Sequence, residues 1–512
     1  MAILTVASKV FGFFREASLA AVFGATAETD AFLVAQSIPL LLFSALSYAL
    51  TTTFIPLYSD IKERRGPEES LRFAAHVLTM VILAGCVLVI AGEIVAESLA
   101  KVVAPGFQEE RLNLTTYLTR LIFPMMIFQL MSGVLAGLLQ AHGEFSVPTS
   151  AALVQSGATI AFTLALGPRH GIAAAALGVL VGAAGATAIN LLAALRIGFR
   201  LGLALDFTIP EVRHMARLII PAIIGASAGE INTLVDRVLA STLPEGRIAA
   251  LNYANRLAEL APSVVGLSIM TVVYPTLAKL AARKDWRAFS GGLVDSLALM
   301  HFLMVPIAAG VVVLREPLVR IVFQRGVFDD AATAETAWAL LFFGFGIAIF
   351  SMRRLVNRAF FSLKDTRTPM LITFGMVALN VVLNITLISP LQQGGLALGT
   401  TLSSLAGLVA GLVLIRRKMP TGVPIGRLLS SCSRSTLSSL LMGVIVYCTQ
   451  KPIFAATNLG GTFGEALGLL VSACVGAIAY GAFAWVLRIR ELYVLVSVIR
   501  KFMVKLVPKF QA

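Results

Sequence analysis

Charge is scarce in this chain. Only 13% of its 512 residues are Asp, Glu, Lys or Arg, 58% are hydrophobic, and the mean hydropathy is +0.88. A soluble fold of this length cannot bury so much apolar surface, so the composition implies an all-α polytopic membrane protein. Cysteine is scarcer still. Cys86, Cys432, Cys448 and Cys474 show no paired spacing and mostly lie in apolar runs, which excludes a disulfide scaffold and makes them packing residues. The five histidines, His76, His142, His170, His214 and His301, are scattered without metal-ligand spacing. No Ser/His/Asp arrangement is visible, so neither a catalytic set nor a resident metal is expected. Aspartate-rich metal loops, Gly-rich phosphate loops and long polar linkers are also missing. So is an uncharged signal-peptide core: Lys9, Arg15 and Glu16 interrupt the first apolar stretch, which reads as a retained helix.

Acidic residues are the minority sign, 27 against 41 basic, for a net charge of +14. Such an excess could suit nucleic acid, but the basic residues cluster in short loops between apolar segments, so nucleic acid is not an expected partner. Apolar stretches of about 20 residues recur along the chain, and about fourteen spans are predicted. They begin near Ala2, Asp30, Leu71, Leu112, Phe145, Gly171, Met215, Ile248, Phe289, Thr333, Thr368, Leu396, Arg434 and Thr462. The alternative is about thirteen, with the first segment lying in the interface. One alternate set of loops is rich in cations, including Lys62, Arg64, Arg65, then Lys279, Arg283, Lys284, Arg287, then Arg416, Arg417 and Lys418. Loops of the other set are poorer; Gly24 to Thr29 and Ser389 to Gly394 carry none. That contrast puts the rich loops and both termini in the cytoplasm. The stretch from Arg488 to Lys509 mixes cations with Leu, Val and Phe, as an amphipathic helix on the inner leaflet or a basic stop after the last span would.

The two halves resemble each other. Gly143-Glu-Phe-Ser-Val-Pro148 opens one helix pair and Lys364-Asp-Thr-Arg-Thr-Pro369 another. Each pair has a turn with Pro, at Gly167-Pro168 or Ser389-Pro390, before a small-residue helix. Phe54-Ile-Pro56 echoes Val273-Tyr-Pro275, and the offset is roughly 220 residues throughout. A parallel repeat of about six helices leaves a central cavity between two lobes that can rock. The expected organisation is an N-terminal lobe over residues 1–200, a C-terminal lobe over 201–420, and two further helices with the amphipathic tail over 421–512.

Ionisable residues inside spans are costly and normally face a protein-lined, hydrated cavity. Lys9 and Glu16 share one face of the first helix, and Arg15 points about 120° away on an ideal helix. Lys9 could instead snorkel to the interface. Asn252, Arg256, Glu259 and Ser263 form one stripe, in which Glu259 can partner Arg256 at i, i+3, as a substrate site or as a structural ion pair. Asp236 interrupts a preceding helix, and Asn380 and Asn384 share a face near Thr400. Such oxygens suit Na⁺ or interhelical hydrogen bonding.

These residues carry a family likeness. Ser8-Lys-Val-Phe-Gly-Phe-Phe-Arg15-Glu16, Phe23-Gly24, Thr29-Asp30-Ala-Phe, Tyr253-Ala-Asn-Arg256-Leu, Pro275-Thr-Leu and Lys364-Asp-Thr-Arg-Thr-Pro resemble the MurJ/MviN lipid II flippases of the multidrug/oligosaccharidyl-lipid/polysaccharide exporter superfamily. The resemblance implies fourteen helices in two lobes around a cationic cavity, in the bacterial cytoplasmic membrane, and export of the undecaprenyl-pyrophosphate-linked peptidoglycan precursor. It implies that Arg15, Glu16 and Arg256 are cavity charges, with Asp30 a matching acid at the outer end of the second helix and Lys9 at a place usually held by Arg, and that Asp236, Asn380, Asn384 and Thr400 stand at a Na⁺ site; with Asn252 and Glu259 of the stripe, the first five are the expected substrate-binding residues. A monomer without catalytic activity is expected, in contact with membrane lipids and with cell-wall synthesis proteins. One departure stands out: Leu40-Leu-Leu-Phe43 occupies the place of a cation frequent in the family's second helix. That leaves room for another polyprenyl-linked oligosaccharide of the O-antigen or capsule type. A cation-coupled drug exporter fits less well, because its cavity would favour acids.

Overall fold

A computed structural model describes residues 2–200, 202, 215, 232–457 and 461–497. Among the described residues the regular structure is entirely helical. The helices are α1 Ala2–Phe23, α2 Ala27–Arg65, α3 Pro67–Val103, α4 Glu109–Ile122, α5 Met125–Ala141, α6 Ser146–His170 and α7 Ala173–Arg196. After a helical stretch over 232–240 come α8 Arg247–Ala261, a π-turn at Pro262–Gly266, α9 Leu267–Ala282, α10 Trp286–Val313, α11 Arg315–Phe323 and α12 Asp330–Ser362. The chain continues through α13 Arg367–Leu391, α14 Gln393–Lys418, α15 Ile425–Ala456 and α16 Gly461–Val486.

Eleven helical segments among the described residues are long and apolar enough to cross a membrane. Two of them are interrupted: α4 and α5 join at Pro124, and α8 and α9 join through the π-turn. The expected spans near Ala2 and Asp30 are the helices α1 and α2, outside those eleven, and α1 carries three charges in 22 residues. The expected span near Met215 falls largely outside the described residues, as do the tail beyond residue 497 and the side chains of Leu42 and Phe43. The helix count therefore stands at eleven segments that meet the length and apolarity needed, with α1 and α2 beside them.

The chain folds as two compact units. One comprises Met1–Ala250 with Phe323–Ala332, the other Leu251–Val322 with Thr333–Ala512. In the first, α2, α3, α5 and α7 pack around Leu50, Phe54, Tyr58, Phe73, Leu78 and Leu138, and α1 lies along α6. In the second, α10, α15 and α16 enclose Phe302, Met442, Val446 and Tyr480, whose hydroxyl donates to the Phe302 carbonyl at 2.8 Å. Lipid chains are as apolar as leucine, so close backbone approach rather than burial drives helix pairing here. Gly182 of α7 shows it: a Cβ there would come within 2.7 Å of the Gln155 carbonyl on α6.

The α6–α7 pair in one unit and the α13–α14 pair in the other are built alike. Their helices run 25 and 24 residues in the first pair, 25 and 26 in the second. Each is preceded by a left-handed turn, at Gly143 (φ 81°) and Lys364 (φ 58°). In both turns the following N–H reaches back five residues, Glu144 to Leu139 and Asp365 to Phe360, satisfying a carbonyl at a helix end. The turns expected at Gly167-Pro168 and Ser389-Pro390 are not turns. Helix continues to His170 and Leu391, and each proline sits inside the last turn.

Asp365 ties the second pair together. Its carboxylate accepts the Thr368 N–H at 3.0 Å, capping α13, and pairs with Lys418 at the end of α14. Lys418 also donates to the Thr368 hydroxyl at 3.0 Å. Burial would raise the Asp365 pKa, but the Lys418 ammonium and the Thr368 hydroxyl and N–H outweigh it and hold it at about 2, against an ordinary 3.8. A carboxylate held low contributes stability that is complete above about pH 4 and is lost as the pH falls through about 2. We predict that Asp365→Asn melts earlier than wild type at neutral pH. The gap should close as the pH falls over that window; a gap of constant size would show that Asp365 acts only by shape.

Candidate functional site

The ionisable residues of α1 divide by exposure. Lys9 is exposed, as are its neighbours Val10, Phe11 and Phe14. Deeper in the helix, Arg15 is one-quarter exposed and its Nη2 donates to Glu16 Oε1 at 2.8 Å, while Glu16 is buried. The pair lowers the cost of each charge at membrane depth. The sequence pattern sets Glu16 on the Lys9 face; in the structure it is the counter-ion of Arg15.

Asp30, a candidate substrate residue, makes structural contacts in this fold. It lies in the first turn of α2, after the N-cap Thr26, and is fully buried. Its Oδ2 accepts from Arg111 Nη2 at 2.8 Å and from the Gly246 N–H at 2.7 Å; its Oδ1 accepts from the Ala249 N–H at 2.8 Å. The first N–H groups of a helix lack intrahelical partners and carry partial positive charge. Asp30 thus caps the start of α8 from another helix, neutralised by Arg111, which lies over the Phe107 ring at 4.2 Å. Both carboxylate oxygens are engaged and enclosed. Sequence reasoning missed Arg111 and Gly246, because no periodicity links them to Asp30 across 81 and 216 positions.

Backbone packs directly on backbone around the same turn. Gly246 (φ 79°) and Gly326 (φ 61°) are left-handed, and a Cβ on either would sit 2.1 Å from a carbonyl oxygen, of Ala25 or Ala21. The Val327 N–H donates to the Ala21 carbonyl at 3.0 Å.

In α8, Tyr253, Ala254, Leu257 and Ala258 are buried, which leaves Asn252, Arg256 and Glu259 on the opposite, more exposed side. Glu259 does not take the i, i+3 partner expected of it. Its Oε1 bonds Arg354 Nη2 of α12 at 2.5 Å, both side chains being about one-third exposed at 38% and 35%. The π-turn follows directly at Pro262, whose missing N–H removes one helical bond.

Asn380, Asn384 and Thr400 come together in the second unit. Asn384 Nδ2 donates to Asn380 Oδ1 at 3.0 Å, and Asn380 Nδ2 reaches Thr400 Oγ1 at 3.4 Å. Gly399 stands beside Asn384, where a Cβ would come within 2.2 Å of Oδ1. Asp236 belongs to the first unit, where Asn232 Nδ2 donates to its Oδ2 at 3.2 Å. No cluster of metal-ligating side chains occurs among the described residues.

A family model described as lipid II flippase MurJ matches residues 19–460, which run through both units. The chain belongs to the lipid II flippase MurJ family. A relative in Rhizobium meliloti (strain 1021), named probable lipid II flippase MurJ, is 29% identical over 506 residues, covering 93% of this chain and 92% of its own. A Burkholderia cenocepacia relative, named lipid II flippase MurJ, is 26% identical over 414 residues, covering 78% and 80%. Among solved structures, the fold is similar to a lipid II flippase MurJ in an inward closed conformation, with TM-score 0.80, 24% identity, and coverage of 95% of this chain and 98% of that one. It is also similar to a multidrug resistance MATE family transporter of the MOP superfamily, with TM-score 0.68, 14% identity, and coverage of 82% and 98%. The expected all-α polytopic class is that of this MurJ fold. As a multi-span member of a flippase family, the chain is a bacterial inner-membrane protein.

Proposed function

We infer that this chain is a flippase that moves lipid II from the inner to the outer leaflet of the cytoplasmic membrane by alternating access, without a chemical step. The observation that carries this reading is the family match, which spans both compact units. Arginines within apolar helices support it, because a cation at membrane depth is costly and normally faces a hydrated, protein-lined cavity. In this reading Arg15 and Arg256 bind the pyrophosphate, since a guanidinium fork matches phosphate oxygens bidentately, and Lys9 adds a point charge. Asn252 serves the sugar hydroxyls. Glu16 and Glu259 hold arginines while the site is empty. Both termini lie in the cytoplasm. The protein acts as a monomer alongside cell-wall synthesis proteins, with residues 1–200 and 201–420 as the two lobes.

A Na⁺ gradient or the membrane potential drives the return step; each charge moved is worth about 2.3 kcal/mol per 100 mV. Asn380, Asn384 and Thr400 supply neutral oxygens, the donor chemistry Na⁺ takes, and Asp236 supplies a carboxylate within its own unit. A second reading, a flippase for another polyprenyl-linked oligosaccharide, is favoured by one feature: Leu40-Leu-Leu-Phe43 lacks the cation frequent in the family.

The test is rescue of bacteria depleted of their own lipid II flippase. At matched membrane levels, wild type should restore growth. Arg15→Ala or Arg256→Ala should each lower export by roughly 10- to 100-fold, the worth of a lost charge-assisted contact. Failure of well-expressed wild type would move the substrate to another polyprenyl-linked glycan. Rescue by all three would leave lipid II in place and remove the pyrophosphate site from Arg15 and Arg256.

A further inference from the structure

A second group of arginines lies in the Leu251–Val322 and Thr333–Ala512 unit. Arg353, Arg354 and Arg358 lie close together on α12, and among the described residues the acid paired with this group is Glu259 of α8, bound to Arg354. Arg354 and Arg358 are one turn apart on one side of the helix. Arg358 is drawn aside over the Tyr274 ring, its Cζ 5.6 Å from the centroid. Arg353 lies within electrostatic reach of both Arg354 and Glu259, and its buried Nε finds no acceptor among the described residues. A buried guanidinium N–H without an acceptor is unusual, because the group is a strong donor that loses its water on burial. The cluster carries more positive charge than its one carboxylate can neutralise. It therefore has both an excess of charge and an unfilled hydrogen-bond donor, as a site for a multiply charged oxyanion does.

We propose that Arg353 and Arg354 form a phosphate-binding subsite for a polyprenyl pyrophosphate, with Glu259 as the counter-ion that the phosphate displaces. The Arg354–Glu259 pair is partly exposed, so exchange does not require the unit to open. When a phosphate oxygen takes Arg354, Glu259 is released toward solvent, and the Arg353 guanidinium, whose Nε is enclosed, turns outward so that this N–H reaches the same phosphate. Lys in place of either arginine would keep the charge and lose the planar fork. This deepens the flippase reading and rests on it for the identity of the ligand.

The same oxyanion chemistry could come from the transported lipid or from phospholipid of the leaflet, and the experiment separates them. Undecaprenyl pyrophosphate would be titrated into full-length protein in phosphatidylcholine nanodiscs, with phosphatidylglycerol discs and free inorganic pyrophosphate as the other arms. Arg353→Gln and Arg354→Gln should each weaken binding at least tenfold. Glu259→Gln should tighten it about three- to tenfold, because it removes the competing carboxylate. The double variant Glu259→Gln/Arg354→Gln leaves no unpaired acid, so it keeps the test valid should Arg354→Gln alone fail to fold; it should bind as weakly as Arg354→Gln. Unchanged or weaker binding by Glu259→Gln, or wild-type binding by Arg353→Gln, overturns the proposal. Displacement of undecaprenyl pyrophosphate by phosphatidylglycerol would assign the site to leaflet lipid and overturn it as a substrate site. Failure of wild type to rescue a flippase-depleted strain, with these binding differences intact, would remove the flippase reading and keep the subsite.

Discussion

Asp30→Ala should lower stability by about 3–5 kcal/mol and abolish rescue of a flippase-depleted strain. The substitution removes three bonds at once: the Arg111 ion pair at 2.8 Å and the caps on Gly246 and Ala249 at 2.7 and 2.8 Å. Arg111 is left with its side chain only 12% exposed and no carboxylate beside it, the situation in which losing one member of a buried pair costs most. Asp30→Asn should fall between wild type and alanine, because an amide oxygen still accepts one N–H while its NH₂ opposes Arg111. Arg111→Gln in the Asp30→Asn background should recover part of the loss, since it removes the stranded cation. Unfolding midpoints of wild type, Asp30→Asn, Arg111→Gln and the double variant in one detergent give the coupling. Additive losses would show that Asp30 and Arg111 are neighbours rather than partners. If Asp30→Ala is stable but inactive, the direct substrate contact returns as the explanation.

Gly246→Ala and Gly326→Ala should each cost more than Gly143→Ala, by a factor of about two or more. All three glycines have positive φ, where an L-residue costs roughly 1–2 kcal/mol. At Gly143 that is the whole penalty, because nothing lies within 4 Å of the Cβ position. At Gly246 and Gly326 the new methyl would also lie 2.1 Å from a carbonyl oxygen, so backbone must separate from backbone. Neither Ala21 nor Ala25 can yield by turning a side chain, since the clash is with main chain. The expected outcome is a loss of about 3 kcal/mol or more at Gly246 and Gly326, seen as an earlier unfolding midpoint, with the Gly143 variant losing only about 1–2 kcal/mol. Equal effects at all three positions would mean that the left-handed conformation alone matters.

The chain's local patterns reached some of this. Repeated apolar runs of spanning length predicted helices where α3 to α7 and α12 to α16 stand, and the recurrent Gly143 and Lys364 motifs marked the two matched helix pairs. Pairing was less legible. Helical spacing put Glu16 on the face of Lys9, but it did not show that Glu16 bonds its neighbour Arg15. The i, i+3 rule gave Glu259 to Arg256, but a guanidinium on another helix reaches it first. Pro168 and Pro390 read as turns, yet helix passes through both.

By itself, the sequence determined what the bilayer enforces. Hydrocarbon leaves no solvent for backbone polar groups, so any span must be a helix of a set length, and that requirement is written locally in runs of apolar residues. Family motifs then placed the chain among lipid II flippases. Only the tertiary structure decided which charges neutralise one another: Asp30 with Arg111 and the start of α8, Glu259 with Arg354, Asp365 with Lys418. The physical reason is that an ion pair depends on a few ångströms of space between helices, while the spacing of its members along the chain is free to take any value.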